Sequence, residues 1–129
     1  MHLLAATPGQ VSDGSEPVDP GQSPADVIFL SAADTELAAL SEARQEMGAA
    51  APTLRLANLG WLSHPFSADK YIGDTAERSG LVVARVLGGA GYWAYAVEQL
   101  AARLHAAGVP LALLPGDDKP DAELLRLST

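Results

Sequence analysis

Apolar residues along this chain fall into short runs, separated by turn residues and by amphipathic segments. Runs of this length, rich in Val, Ile and Leu and bounded by Gly or Pro, are typical of β-strands. They predict five strands, over residues 2–6, 26–31, 53–59, 81–87 and 109–114. The runs at residues 27–30, 81–87 and 111–114 are almost continuously apolar, which is typical of parallel strands covered on both faces.

Between these strands the apolar residues recur at helical spacing instead. The pattern predicts four helices, over residues 33–47, 68–79, 91–107 and 120–127. The first helix has an apolar stripe made of Leu37, Leu40, Ala43 and Met47. The third has a stripe made of Trp93, Val97, Leu100 and Leu104. Each helix is therefore expected to bury one face.

Capping residues support these helix ends. Ser31 followed by Asp34 resembles a capping box before the first helix, and Gly48 ends that helix. Ser67 is placed to cap the second helix, and Gly108 is placed to end the third. Strands that alternate with helices in this way predict a three-layer α/β domain with a mainly parallel five-stranded sheet, flavodoxin-like or Rossmann-like. We expect residues 1–129 to form a single domain.

The segment between the first two predicted strands, residues 7–24, is the main irregularity. Its Pro and Gly residues predict a loop where a helix would be expected. Asp13, Glu16 and Asp19 lie in it, but they lack the spacing and the terminal Glu of an EF-hand calcium loop. The sequence therefore favours a solvated acidic loop over a calcium site.

Composition limits the classes of partner. The 129 residues are 48% hydrophobic and carry a formal net charge of −8, so the chain is a folded domain that repels phosphate backbones and anionic membranes. It contains no cysteine, which excludes disulfides and thiolate chemistry within it. No signal peptide or membrane-spanning run is visible, and we expect a cytoplasmic location.

The glycine turn after the fourth predicted strand is the first candidate for chemistry. Residues 81–93 read LVVARVLGGAGYW, and the part from Gly89 to Ala94 formally matches the dinucleotide fingerprint G-x-G-x-x-A. The motif nevertheless follows the fourth strand of five, and Tyr92 and Trp93 are bulky for a turn that a pyrophosphate must approach. A tight turn with Trp93 in the core is the favoured interpretation, with nucleotide binding as the alternative.

The end of the last predicted strand is the second candidate. Residues 114–121 read LPGDDKPD, and Asp117 and Asp118 could hold a metal or a cationic group. A turn and a helix N-terminus, where Asp is favourable, is the favoured interpretation. Arg85 is unusual inside an apolar strand, because a buried arginine needs a partner. Asp117 and Glu98 are the partners that we expect, and a ligand is the alternative.

Known catalytic patterns are missing from the sequence. His2, His64 and His105 have no metal-ligand spacing, and His105 lies off the apolar stripe of its helix. There is no phosphate-binding P-loop, no HExxH motif and no Ser/His/Asp set. We therefore expect no catalytic residue and no metal ligand in this chain.

Several long segments resemble one protein family. They are MHLLAATPG at the start, GQSPADVIFLSAADTELAAL from Gly21, LRLANLGWLSHPFSADKYI from Leu54, RVLGGAGYWAYAVEQL from Arg85 and LPGDDKPD from Leu114. Together they look like the start of the large subunit of aerobic cobaltochelatase, the CobN family, along essentially the whole chain. The large subunit of magnesium chelatase is a related and weaker match.

The resemblance implies an ATP-dependent insertion of cobalt into hydrogenobyrinic acid a,c-diamide during cobalamin biosynthesis. In that family the large subunit holds the tetrapyrrole, and two AAA+ subunits, CobS and CobT, hydrolyse ATP. The family's subunit is many times longer, so this chain is expected to be its amino-terminal domain, without the chelation residues and without a bound cofactor. The residues expected to contact substrate are Arg85, Gly88, Gly89, Tyr92, Trp93, Asp117 and Asp118. A free-standing flavodoxin-like binding domain and a purely structural or interaction domain remain the alternatives.

Overall fold

The computed structural model describes residues 22–88, 93–117 and 119–129 of the chain. Strands and helices alternate strictly in these residues. In chain order they are β1 (Val27–Ser31), α1 (Asp34–Met47), β2 (Leu54–Asn58), α2 (Pro65–Asp74), β3 (Leu81–Val86), α3 (Ala94–Ala107), β4 (Leu111–Pro115) and α4 (Ala122–Leu127). Short 3₁₀ segments follow α1, β2 and α2, at Gly48–Ala50, Leu59–Leu62 and Ala76–Arg78.

The sheet of the described residues has four strands in the order β2-β1-β3-β4, and every neighbouring pair is parallel. The predicted α/β class with a parallel sheet is confirmed. The sheet of these residues holds four strands where five were predicted in all, and the four coincide with predicted ones. The first predicted strand, residues 2–6, lies outside the described residues, as does most of the predicted loop over residues 7–24.

One face of the sheet carries the main hydrophobic core. Alternate strand residues point into it, which gives β3 a strictly alternating burial pattern. Helices α2 and α3 pack against each other over this face, and Leu124 of α4 joins the same core. Its largest fully buried members are Ile28, Leu30, Leu59, Leu62, Ile72, Leu100, Leu104, Leu111, Leu124, Val82 and Val86. The predicted stripe of α3 is confirmed at its last three positions, while Trp93 is only partly buried.

The opposite face is covered by α1, which lies over β1 and β2. Leu37 of α1 and Leu56 of β2 are buried there, apart from the main core. The rest of the predicted stripe of α1 is not buried, because Leu40 is half-buried and Met47 is 56% exposed. On the same face β3 and β4 have no described helix above them, so their residues Leu81, Val83 and Ala112 are only partly covered. Counting only the described residues, the sheet is therefore covered fully on one face and about half on the other.

Two helix starts differ from the predicted ones. Helix α2 begins at Pro65, and the side chain of His64 caps it by accepting a hydrogen bond from the Phe66 N–H (3.1 Å). Proline at the first helical position favours this earlier start, and Ser67, the predicted cap, is buried inside the helix. Before α1, the Ser31 hydroxyl bonds Glu36 (2.5 Å) and not Asp34. The predicted ends of α1 and α3 at Gly48 and Gly108 are confirmed, and both glycines have positive φ.

No helix in the described ranges combines the length and the apolar character that crossing a bilayer requires.

Candidate functional site

The carboxyl edge of the sheet contains the candidate site, at the point where the strand order reverses. From β1 the chain passes through α1 to β2 on one side, and it then crosses to β3 on the other side of β1. In open α/β sheets such a reversal leaves a crevice at the carboxyl ends of the two central strands, and ligands bind there. In this fold the two strands are β1 and β3, and Ser31 and Arg85 lie side by side at their ends.

A carboxylate joins these two residues. The Glu36 carboxylate, in the first turn of α1, accepts a hydrogen bond from the Ser31 hydroxyl on Oε1 (2.5 Å) and one from Arg85 Nη1 on Oε2. The Ser31 Oγ also accepts from the Ala33 N–H (3.0 Å), which fixes the entry into α1. Three elements, β1, β3 and α1, therefore meet in one polar cluster.

The cluster is partly open to solvent. The Arg85 and Glu36 side chains are 33% and 28% exposed, whereas Ser31 is buried. Among the described residues, only Nη1 of the guanidinium finds an acceptor, although an arginine carries five N–H donors. Within these residues the other guanidinium N–H groups have no protein acceptor, and guanidinium groups pair well with carboxylates and other planar anions.

Asn58 extends this polar edge to the end of β2. Its Nδ2 donates to Asp34 Oδ1 (2.9 Å), and its Oδ1 accepts from the Gly60 N–H (2.8 Å). One amide side chain thereby ties the end of β2 to the start of α1 and to the following 3₁₀ turn. The carboxyl ends of β1, β2 and β3 are consequently all hydrogen-bonded to side chains in the first turn of α1.

Leu87 and Gly88 follow β3 directly, at the same carboxyl edge of the sheet. Gly88 has a φ of 91°, in the region where side chains are disfavoured, and the indole Nε1 of Trp93 donates to the Leu87 carbonyl (3.1 Å). Gly116 lies so close to Leu87 that an added Cβ would come within 2.8 Å of its backbone. The predicted packing role of Trp93 is supported, since this residue packs partly against the core. Gly89 and Tyr92 lie outside the described residues.

The structure corrects the expected partners of Arg85. Its partner is Glu36, while Glu98 lies on α3, on the opposite face of the sheet. Asp117 is exposed and accepts a hydrogen bond from the Lys119 N–H (3.0 Å), which makes it a local turn residue. Asp118 lies outside the described residues. The sequence reasoning missed Glu36, although its position in the first turn after β1 would have indicated it once β1 and β3 were known to be neighbours.

Other candidates for chemistry have structural roles in the described residues. The His64 ring caps α2, and the exposed His105 ring contacts the Leu127 carbonyl (3.1 Å), which confirms the expected exposure of His105. No three His, Asp or Glu side chains of the described ranges lie close enough together to hold a metal ion.

Away from this edge of the sheet, described residues line two further cavities. One of about 240 Å³ lies between α1 and the outer strand β2, where Arg44 and Arg55 line it. A more open one of about 430 Å³ lies beside the amino end of β4, lined by residues that include His105 and Thr129.

Two curated proteins match this chain along its length. The aerobic cobaltochelatase subunit CobN of Sinorhizobium sp is 49% identical over 135 aligned positions, which cover 100% of this chain and 10% of that protein. The subunit CobN of Pseudomonas aeruginosa is 39% identical over 127 positions, which cover 98% of this chain and 10% of that protein. The chain thus spans about one tenth of the length of the curated relatives it matches. No family model matches it, and no solved structure does.

Proposed function

Because the chain belongs to the CobN family of aerobic cobaltochelatase subunits, we propose that it is the amino-terminal domain of a cobalt-inserting subunit. The proposed activity of the whole subunit is the insertion of cobalt, as substrate, into hydrogenobyrinic acid a,c-diamide on the route to cobalamin. Identities of 49% and 39% along nearly all of this chain support the proposal. The segment itself contributes binding and not chelation.

The proposed role of the domain is to hold part of the corrin at the carboxyl edge of the sheet. The substrate carries carboxylate and amide side chains, and Arg85 at the strand reversal has guanidinium donors that find no acceptor among the described residues. These guanidinium donors of Arg85 are the main support for the proposed corrin binding. Gly88 and Trp93 would form the adjoining wall. Asp117, as a turn residue, remains a weaker candidate, and Gly89, Tyr92 and Asp118 stay candidates from the sequence alone.

ATP hydrolysis in this proposal belongs to separate subunits of the AAA+ type, CobS and CobT. The chain contains no P-loop motif, which supports assigning that step to other subunits. The proposed location of the complex is the cytoplasm.

The proposal is tested by titrating the purified chain with hydrogenobyrinic acid a,c-diamide and following tryptophan fluorescence. Arg85→Gln removes the guanidinium and should raise Kd about tenfold, the equivalent of one charge-assisted hydrogen bond. Glu36→Gln breaks the same ion pair but leaves Arg85 with more free donors, so its Kd should stay equal or fall. Arg126→Gln, at an arginine on α4 that is paired with Glu123, is the matched control.

Two alternatives are separated by the same titration. The strand order β2-β1-β3-β4 is that of flavodoxin-like domains, so a flavin and ATP are titrated in parallel. Micromolar binding of flavin or ATP without corrin binding would replace the proposal with a small-molecule binding domain. If none of the three ligands binds, a purely structural or interaction domain is favoured.

A further inference from the structure

Beside α1, on the same face of the sheet, the described residues leave uncovered a strip about as wide as one helix. Its floor consists of residues from β3 and β4 that point away from the main core, namely Leu81, Val83, Ala112 and Leu114. These residues are partly covered, and Leu114 is 42% exposed. Two strands span about 10 Å of sheet, which is the diameter of one helix with its side chains. We call this strip, together with the side of α1 that borders it, the α1–β4 groove.

One side of α1 forms the wall of this groove. Leu40 and Met47 follow Glu36 at helical spacing, and Glu36 reaches β3 through Arg85, so this side of α1 points toward the strip. The opposite side of the helix, with Ser41 and Gln45, lines the cavity beside β2. Met47 is 56% exposed although the sequence pattern predicts its burial. An apolar wall and an apolar floor thus meet with no described element between them.

The edges of the sheet are already occupied, so further chain is not expected to add as a strand. The outer carbonyls of β2 accept hydrogen bonds from side chains, Leu54 from Arg55 Nη1 (3.2 Å) and Leu56 from Gln22 Nε2 (2.8 Å). On β4, the Leu111 N–H and carbonyl are both bound by Thr129 (each 2.9 Å). Capped edges discourage strand pairing. As far as the described residues show, the groove is then the open surface of the sheet.

We infer that the α1–β4 groove is the docking site of an amphipathic helix from the remainder of the CobN-type subunit. The relatives are about ten times longer than this chain, so the same polypeptide has ample length to supply one. A helix fits because the gap is one helix wide and because parallel sheets are normally covered on both faces. A second copy of the chain is a poorer occupant, since each copy would bring a net charge of −8. The inference rests on the proposal that the chain is one domain of that longer subunit.

Cysteine labelling of the full-length subunit tests this docking. The chain has no cysteine, so Met47→Cys and Leu114→Cys each introduce one thiol into the groove. Phe66→Cys is the matched control, because Phe66 is 61% exposed and lies on α2, over the other face. Maleimide labelling of each site is followed by peptide mass spectrometry, first in the native subunit and then in urea. We expect the groove sites to react at least about tenfold more slowly in the native subunit, and the control site to change by less than about threefold.

Cross-linking identifies the occupant. A photoreactive maleimide on Leu114→Cys should capture a segment of the same polypeptide, at positions spaced by three or four residues as on one helix face. Native labelling of Met47→Cys as fast as that of Phe66→Cys would overturn the inference. Capture of a second copy, or protection that appears only when the ATP-hydrolysing subunits are added, would overturn it as well. Arg85 is unchanged in these variants, so a lack of corrin binding with intact protection would count against the proposed function alone.

Discussion

Ser31 and Arg85 are register partners on the neighbouring parallel strands β1 and β3, and the carboxylate of Glu36 bonds both of their side chains. The arrangement places the ion pair at the strand reversal of the sheet, where it ties α1 to two strands. Because both side chains are only about one-third exposed, the ion pair is a structural tie that still touches solvent.

The first prediction concerns the strength of this ion pair. A double-mutant cycle with Glu36→Gln and Arg85→Met, read by urea unfolding, should give a coupling free energy of roughly 1 kcal/mol, because both side chains are about two-thirds covered. Added salt should reduce the coupling only in part, since screening is weaker for partly buried charges.

The exposed pair Glu123–Arg126 on α4 is the matched control for that cycle. Its side chains are 51% and 66% exposed, so its coupling should be close to zero with Glu123→Gln and Arg126→Met. Equal coupling in the two cycles would mean that the Glu36–Arg85 pair is only a surface contact.

The second prediction concerns the close approach of the β3 and β4 turns. In Gly116→Ala the new Cβ would meet the Leu87 backbone at 2.8 Å, so the turns must move apart and the free energy of unfolding should fall by about 1–3 kcal/mol. Gly73→Ala is the control, since Gly73 lies in α2 and its Cβ would meet only the flexible end of Arg103. Helix propensity then favours alanine by up to about 1 kcal/mol. Thermal unfolding of both variants measures the contrast, and a shift of the same sign in both would refute the explanation.

The sequence predicted what depends on local pattern. The four strands after residues 2–6 agree with the structure within a few residues, because each is an apolar run ended by Gly, Pro or a polar residue. The ends of α1 and α3 were also predicted correctly, because the residue after each helix has a positive φ and is a glycine.

What the sequence did not reveal depends on which elements become neighbours. The partner of Arg85 lies 49 residues away on another element, and no local pattern tells on which face of β3 the arginine points. The stripe of α1 was predicted as buried, yet burial requires a covering element, and only Leu37 has one in the described residues. The start of α2 was missed for a local reason, because the His64 ring takes the capping role that was assigned to Ser67.

The third prediction concerns the buried hydroxyl of Tyr71. It donates to Gln22 Oε1 (2.8 Å), and burial raises the pKa of this phenol while the charge of Arg55 opposes the shift. Tyr71→Phe should lower the free energy of unfolding by about 1–2 kcal/mol, because Gln22 loses a partner in a partly buried place. Tyr95→Phe removes a hydrogen bond of similar length to Asp69 (2.7 Å) at an exposed site and should cost less than about 0.5 kcal/mol. Urea unfolding of the two variants measures both losses of free energy, and equal losses would contradict the role of burial.

The fourth prediction concerns pH and the reciprocal bonds that join the starts of β1 and β2. The Asp26 carboxylate accepts a hydrogen bond from the Thr53 N–H (3.0 Å), and the Asp26 N–H donates to Thr53 Oγ1 (2.8 Å). Hydrogen bonding by the backbone and the side chain of Thr53 lowers the pKa of Asp26 below its usual 3.8. A lowered folded-state pKa means that folding favours the carboxylate, so its stabilising effect is complete above the unfolded pKa and is lost as the pH falls through the folded one.

Asp26→Asn should therefore destabilise the chain at about pH 7, and its difference from the unchanged protein should shrink steadily from about pH 4 downward. Urea unfolding midpoints at several pH values measure this difference directly. Glu42→Gln, at an exposed carboxylate of α1, controls for the loss of one negative charge from a chain of net charge −8. It should show no destabilisation at neutral pH, because relief of repulsion is its main effect. A constant difference between Asp26→Asn and the unchanged protein across the acid range would show that the Asp26–Thr53 bonds act through geometry alone, without the carboxylate charge.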